Sequence, residues 1–285
     1  MGTSEGWQVP ATEALRVTSD TRVADLDTNG MPGFAGNKTL GERLLEERGA
    51  VLSGLQEKLF ANGRSSDEHR SVLLILQGMD TAGKGGMMRH VIGHVDPQGV
   101  DHASFGVPTA EEKRHHYLWR VRKELPRRGQ IGVFDRSHYE DVLVVRVHDL
   151  VPPGEWEPRY DEINQFERDL VESGTTLVKV AMFVSLDEQK KRLSERLERP
   201  DKHWKYNPGD VTERGFWPEY REAYQAMLDR TSTEHAPWYA VPCDRKWYSR
   251  LAVTELLIDA LERLDLDWPA ANFDVETEKR RLARS

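Results

Sequence analysis

Apolar positions along this chain alternate between short unbroken runs and helical spacing, and the alternation predicts the architecture. Residues 72–77 are apolar almost without a break and stop at Gly78, as in a strand buried on both faces. Residues 131–134 and 177–186 repeat that pattern, while 100–107 and 238–241 predict two shorter strands. Between them the spacing predicts helices over 38–60, 86–94, 110–125, 142–148, 160–173, 187–199, 212–233 and 246–264. In the first of these Leu40, Leu44, Leu45, Val51, Leu52, Leu55 and Leu59 form a packing face. Strand, helix and strand in repeated order require right-handed crossovers, so the fold class is α/β, a parallel sheet between two helical layers. Residues 1–36 mix Gly, Thr, Asp and Pro with little periodicity and predict an irregular arm, either wrapped on the surface or partly disordered; 266–285 predict a polar, peripheral tail.

Composition narrows the class further. A chain of 285 residues with 38% hydrophobic content suits one large domain, placed at 37–265. No apolar run approaches the roughly 18 residues of a membrane span, and MGTSEGWQVP lacks the regions of a signal peptide. The lone Cys243 excludes an internal disulfide framework and a multi-cysteine metal site. These features point to the cytoplasm. A net charge of −8 argues against a nucleic-acid binder, but Arg and Lys crowd into 113–128, 190–205 and 245–250, where a local anionic ligand can be held.

The chemistry centres on VLLILQGMDTAGKGG. Gly78, Gly83 and Lys84 stand in the G-x-x-x-x-G-K spacing of a phosphate-binding loop, whose glycines let backbone N–H groups close on phosphate oxygens. Lys84 supplies a positive charge. Gly85, followed by Gly86, stands where the motif wants Ser or Thr for Mg²⁺, so the metal needs another oxygen, and Asp80 inside the loop is the candidate. Asp135 ends an apolar strand in the Walker B manner, where a carboxylate reaches the metal. Arg136 is placed to clamp phosphate, or to pair with Asp135. Tyr139, Glu140 and Asp141 open the helix over 142–148, and the two acids serve either its N-terminus or a substrate or metal. His115, His116 and His148 lack metal-ligand company and read as ordinary surface or core residues. Helix 187–199 carries Lys190, Lys191, Arg192, Arg196 and Arg199 into PDKHWKYNPGD, a basic segment with breaks that reads as a lid over phosphates, about 195–215.

Taken together, GMDTAGKGG, FDRSHYEDVLVVRVH, RPDKHWKYNPGD and HAPWYAVPCDRKWYSR resemble the polyphosphate kinase 2 family. The resemblance covers roughly residues 35–265. It implies a three-layer P-loop kinase-like fold with a helical lid, and phosphoryl transfer between inorganic polyphosphate and AMP or ADP. It implies Asp80 and Asp135 as metal-binding and catalytic residues, Lys84 and Arg136 as phosphate-binding and catalytic ones, and Glu140 with the loop glycines around the nucleotide. The polyphosphate chain falls to Arg192, Arg196, Arg199, Lys202 and Lys205, with Lys246 and Arg250 beside them. The implied cofactor is Mg²⁺, with Mn²⁺ as a substitute, and the implied assembly is a homo-oligomer, dimer or tetramer. DPQGV and YEDVLVVRVH are most similar to the subgroup using AMP as well as ADP, in which Asn is common where this chain has Asp135. An ATP-dependent nucleotide kinase, disfavoured by Gly85, and a non-catalytic polyphosphate-binding protein are the rivals. A GTPase is disfavoured because no N-K-x-D segment follows.

Overall fold

The computed structural model describes residues 5–65 and 69–285. In chain order its elements are α1 (Ala11–Ala14), α2 (Lys38–Ser65), β1 (Ser71–Gly78), α3 (Lys84–His90), β2 (Val100–Ser104), α4 (Leu118–Arg122), β3 (Ile131–Asp135), α5 (Val144–Val147) and α6 (Pro153–Trp156). There follow α7 (Arg159–Glu172), β4 (Thr175–Phe183), α8 (Leu186–Glu198), α9 (Gly209–Glu213), α10 (Trp217–Thr231), β5 (Trp238–Pro242), α11 (Lys246–Glu262) and α12 (Val275–Leu282). The five strands pair in parallel, as the sequence pattern requires, and stand in the order β2-β3-β1-β4-β5. Every residue of β1 is buried, because helices cover both faces. One apolar layer joins α2, α3 and α11 to the sheet, and the other joins α4, α7 and α10.

Several predicted helices differ from those observed. The span 110–125 is not one helix: Thr109 and Glu112 cap each other, with Glu112 Oε2 accepting from Thr109 N at 2.7 Å and Thr109 Oγ1 accepting from Glu112 N at 3.2 Å, and the turn stops at Arg114 before α4 starts. The span 212–233 is split by a 3₁₀ turn at Arg214–Phe216 into α9 and α10. Helix α3 begins at Lys84 itself, two residues early, and ends at His90. In the tail, α12 forms with no buried residue.

Residues 5–36 are irregular yet packed. Trp7, Leu15 and Phe34 are buried in the α2/α11 layer. Val17 N donates to Trp238 O at 2.9 Å and Ala240 N to Leu15 O at 2.8 Å, so the arm closes the β5 edge of the sheet. Among the described residues no helix is long and apolar enough to cross a membrane.

Candidate active site

Pairing of Leu76 with Asp135 and of Gly78 with Met182 brings the loop after β1 beside the carboxyl end of β3, where open α/β sheets bind ligands. The loop needs unusual backbone, with Thr81 at φ 64° and Gly83 at φ 117°. Its carbonyls face inward. The Arg192 guanidinium donates to Thr81 O (2.8 Å), Ala82 O (3.2 Å), Cys243 O (2.6 Å) and Asp244 O (3.2 Å), and its Nε to Glu188 (2.9 Å). Only 5% exposed, Arg192 is a strut that positions the loop, which corrects its reading as a lid cation: its donors are already spent inside the fold.

Lys84 Nζ curls back to Gly78 O at 2.6 Å. Burial pulls its pKa below the ordinary lysine value, Arg136 adds to the fall, and Asp135, Asp80 and Glu140 only partly oppose it. Arg136, at φ 63°, donates to Asp80 Oδ1 at 2.9 Å rather than to its neighbour Asp135, and lies 3.9 Å from Glu140 Oε2. Burial works against its charge, but Glu140, Asp80 and Asp135 together keep it firmly protonated. Glu140 also accepts from Gln77 Nε2, and burial raises its pKa against the pull of Arg136. Gln189, 1% exposed, donates to Asp80 O at 3.0 Å and accepts from Arg214 at 2.7 Å, so α8 and the turn at Arg214–Phe216 are tied to the loop.

Two cavities meet at Asp80 and Arg136. The larger, about 640 Å³, is lined by the loop residues Thr81, Gly83, Gly85 and Gly86, by Asp135, and by the cations Lys84, Arg89, Arg196, Lys205 and Arg250. The smaller, about 310 Å³, has apolar walls at Val107, Leu143 and Val144, and reaches Glu140, His148, Asp210, Glu213, Tyr220 and Tyr224. Gly78, Gly83, Gly85, Gly86, Lys84, Asp80, Asp135, Arg136, Glu140, Arg196, Lys205 and Arg250 therefore converge on one place. Arg199 does not: it is half exposed and paired with Asp201 at 2.7 Å. Lys202 pairs with Glu195 at 3.9 Å, and Lys246 stands exposed outside the cavity lining.

Asp80 and Asp135 are the carboxylates available to a cation in the cationic cavity, and no group of three or more His, Cys, Asp or Glu side chains among the described residues converges on a metal site. Two carboxylates with phosphate oxygens and water suit Mg²⁺, which rarely occupies an all-protein cage, so the residues present fit it.

Sequence reasoning passed over Arg89, the His148 and Glu213 end of the smaller cavity, and a buried cluster behind β3. In that cluster Lys179 Nζ donates to Glu167 Oε2 (2.6 Å), Thr231 O (2.7 Å) and Tyr139 Oη (3.0 Å), while His138 and Tyr139 meet Glu167 Oε1 at 3.3 and 2.7 Å. Lys179, Glu167, His138 and Tyr139 are all fully buried, and they anchor the turn that carries Asp135 and Arg136. The available signal was a lysine inside the otherwise uncharged strand TTLVKVAMF.

A family model described as polyphosphate kinase 2 matches residues 37–268. Among curated proteins, an AMP/ADP-polyphosphate phosphotransferase of Meiothermus ruber is 45% identical over 256 residues, spanning 89% of this chain and 94% of the relative. An ADP-polyphosphate phosphotransferase of Rhodopseudomonas palustris is 42% identical over 248 residues, 83% of this chain and 84% of the relative. Among solved structures, polyphosphate kinase 2 from Arthrobacter aurescens TC1 superposes with a TM-score of 0.95 at 51% identity, covering 98% of each chain.

Proposed function

The chain belongs to the polyphosphate kinase 2 family, and from that premise we propose that it transfers a phosphoryl group between inorganic polyphosphate and AMP or ADP. The observation that carries this reading is the wall shared by the two cavities. A polyanion suits the cationic cavity, a nucleotide suits the apolar one, and Asp80 and Arg136 stand between them. Transfer then needs in-line placement and neutralisation of charge, with no covalent enzyme intermediate.

Lys84 and Arg136 stabilise negative charge on the transferring group, and neither has to move far, because backbone and carboxylate contacts already aim them. Arg196, Lys205 and Arg250 hold the rest of the chain of phosphates. The lid, with Trp204 and Lys205 on its 3₁₀ turn, excludes water from the reacting group. Mg²⁺ held by Asp80 and Asp135 would neutralise phosphate oxygens there. A cytoplasmic location and a homo-oligomer, dimer or tetramer, belong to the same proposal; light scattering tests the latter.

The test is an assay with polyphosphate, Mg²⁺ and AMP, ADP or GDP in turn, with chromatography of the products and a parallel series in which ATP replaces polyphosphate as donor. ADP or ATP formation from polyphosphate supports the reading; transfer from ATP alone overturns it. Asp80→Asn and Asp135→Asn should raise the Mg²⁺ concentration needed for half-maximal rate, since an amide keeps shape but loses the anionic oxygen. Unchanged Mg²⁺ titrations in both variants would remove these two residues from the metal site.

A further inference from the structure

The loop that follows β2 is pinned at its start and open beyond it. Phe105 is buried edge-on against Phe134, with ring centroids 4.9 Å apart, and its N–H donates to Asp135 O at 3.0 Å. Gly106 and Val107 are exposed, and a side chain at Gly106 would meet no atom within 4 Å. Yet Val107 lines the smaller cavity and Gly106 the larger one, so both cavities depend on where this loop stands. One side chain holds it. Arg120, on α4, donates from Nη1 to Gly106 O at 2.8 Å, and among the described residues no other side chain bonds the backbone of residues 106–108.

Packing alone does not explain an arginine at this position. Arg120 is 7% exposed, and its Nε is buried without a hydrogen-bond partner. Beside it, Asp141 Oδ2 at 3.8 Å and Glu112 Oε2 at 4.0 Å stand beyond hydrogen-bond length, and Asp141 Oδ2 is likewise buried and unbonded. Apolar groups often replace buried charges without loss of stability. What the guanidinium adds is a link. Asp141 ends the turn His138–Asp141, which carries Glu140 and leads into Leu143 and Val144 on the lining of the smaller cavity, and Arg159 fixes it by donating to its carbonyl at 3.1 Å and to Oδ1 at 3.3 Å. Arg120 therefore lies between the root of the Val107 loop and the root of that wall. It lines neither reaction cavity, but a third one of about 410 Å³, which residues 105–107 partition from the other two. Without the grip the loop has that space to fall back into.

Resting on the polyphosphate-to-nucleotide reading, we infer that Arg120 is a positioning residue for the acceptor nucleotide: it holds Val107 at a set distance from the wall of Glu140, Leu143 and Val144, and so fixes the width of the acceptor cavity. It touches neither substrate. The cationic cavity keeps Lys84, Arg196, Lys205 and Arg250 for the polyanion, and all four stand on other elements. Loss of Arg120 therefore falls on the acceptor.

Arg120→Met removes the grip and leaves Asp141 its bond to Arg159. With polyphosphate as donor, the KM for AMP should rise about 10-fold, as for misplacement of a bound reactant, while the KM for polyphosphate stays within about 2-fold. A role in folding alone would reduce the amount of active protein and move neither KM. Arg120→Lys keeps the charge and one donor, so it should show the same split at smaller size. Val107→Gly should raise the KM for AMP by itself, and adding Arg120→Met should raise it no further, since both changes act through one wall. An unchanged KM for AMP in Arg120→Met or, if that variant does not fold, in Arg120→Lys overturns the inference. So does a rise as large in the Val107→Gly background as in the wild-type protein. A nitroxide on Val107→Cys reads the loop without any turnover, because the native Cys243 is buried. If the wild-type protein transfers phosphate to neither AMP nor ADP, the proposed function fails and the label still decides on Arg120: greater mobility once Arg120 is replaced supports the grip, and equal mobility overturns it.

Discussion

Lys84, which opens α3, and Lys179, inside β4, are two lysines under the same penalty, and they meet it differently. Burial pulls the pKa of each below the ordinary lysine value. Lys179 is bonded to a carboxylate, a phenol and a carbonyl, so its charge is matched where it stands. Lys84 reaches only the carbonyls of Gly78 and Met79, and among the described residues it has no bonded carboxylate. A matched buried charge holds parts together, whereas a desolvated charge with carbonyls for company remains free to meet an incoming anion. The difference separates a structural lysine from a candidate phosphate-binding one more sharply than burial does.

The most drastic way to break this comparison is to remove Lys179. Lys179→Met leaves Glu167 buried without its cation and should cost about 3–5 kcal/mol of stability. Urea unfolding measures it, and the double variant Lys179→Met, Glu167→Leu should recover part of the loss, because it removes the orphaned charge as well. A single-variant cost under about 1 kcal/mol would mean that the pair is not matched as described.

Lys84→Ala should do the reverse. Transfer from polyphosphate should fall at least ~10²-fold, as for loss of a preorganised charge-stabilising group. The melting temperature should hold or rise, since a desolvated charge is deleted. A folded variant keeping half of the wild-type rate would end the assignment.

Acid sharpens the contrast at smaller scale. Burial works against the Glu167 carboxylate, but Lys179 and His138 hold its pKa below the usual glutamate value. Its stabilisation is therefore complete above the ordinary glutamate range and is lost as pH falls through the lowered value. In a Lys179→Met, Glu167→Gln variant the acid limb of a stability-against-pH curve should be flatter than in the wild-type protein; parallel limbs would refute the linkage.

The lid repeats the contrast with the least effect. Lys205 lines the cationic cavity and packs over the Trp204 ring at 4.8 Å, whereas Arg199 is already paired on the outside. Lys205→Ala should raise the KM for polyphosphate a few-fold, more for long chains than for short ones, and salt should imitate it. Arg199→Ala should change nothing measurable, as isolated surface pairs contribute about 0–1 kcal/mol. Equal KM values in wild type and Lys205→Ala would move polyphosphate off the lid.

Those features that depend on neighbours in the chain were legible in advance. The apolar run to Gly78, the glycine spacing to Lys84 and the strand ending at Asp135 each state their geometry locally, and the parallel pairing follows from the crossovers. Features that depend on which residues meet were not. Arg192 looks like its basic neighbours on α8, yet it is the one turned inward to four carbonyls. His148 lacked metal-ligand company in sequence because its partner, Glu213, is 65 residues away. Arg136 pairs with Asp80, 56 residues away in the chain, and not with adjacent Asp135.

Arg192 has a further consequence through the planarity of the peptide group. In a trans peptide the carbonyl and the following N–H point in opposite directions, so a side chain that grips one aims the other. By drawing the Ala82 carbonyl inward, Arg192 turns the Gly83 N–H outward, toward the side where Lys84 and the cationic cavity lie. Peptide flips that would scramble the loop's dipoles are thereby locked out from behind. An arginine whose guanidinium is spent on four carbonyls thus sets the electrostatic face that the loop presents to phosphate, and that work is completed when the chain folds rather than during each turnover.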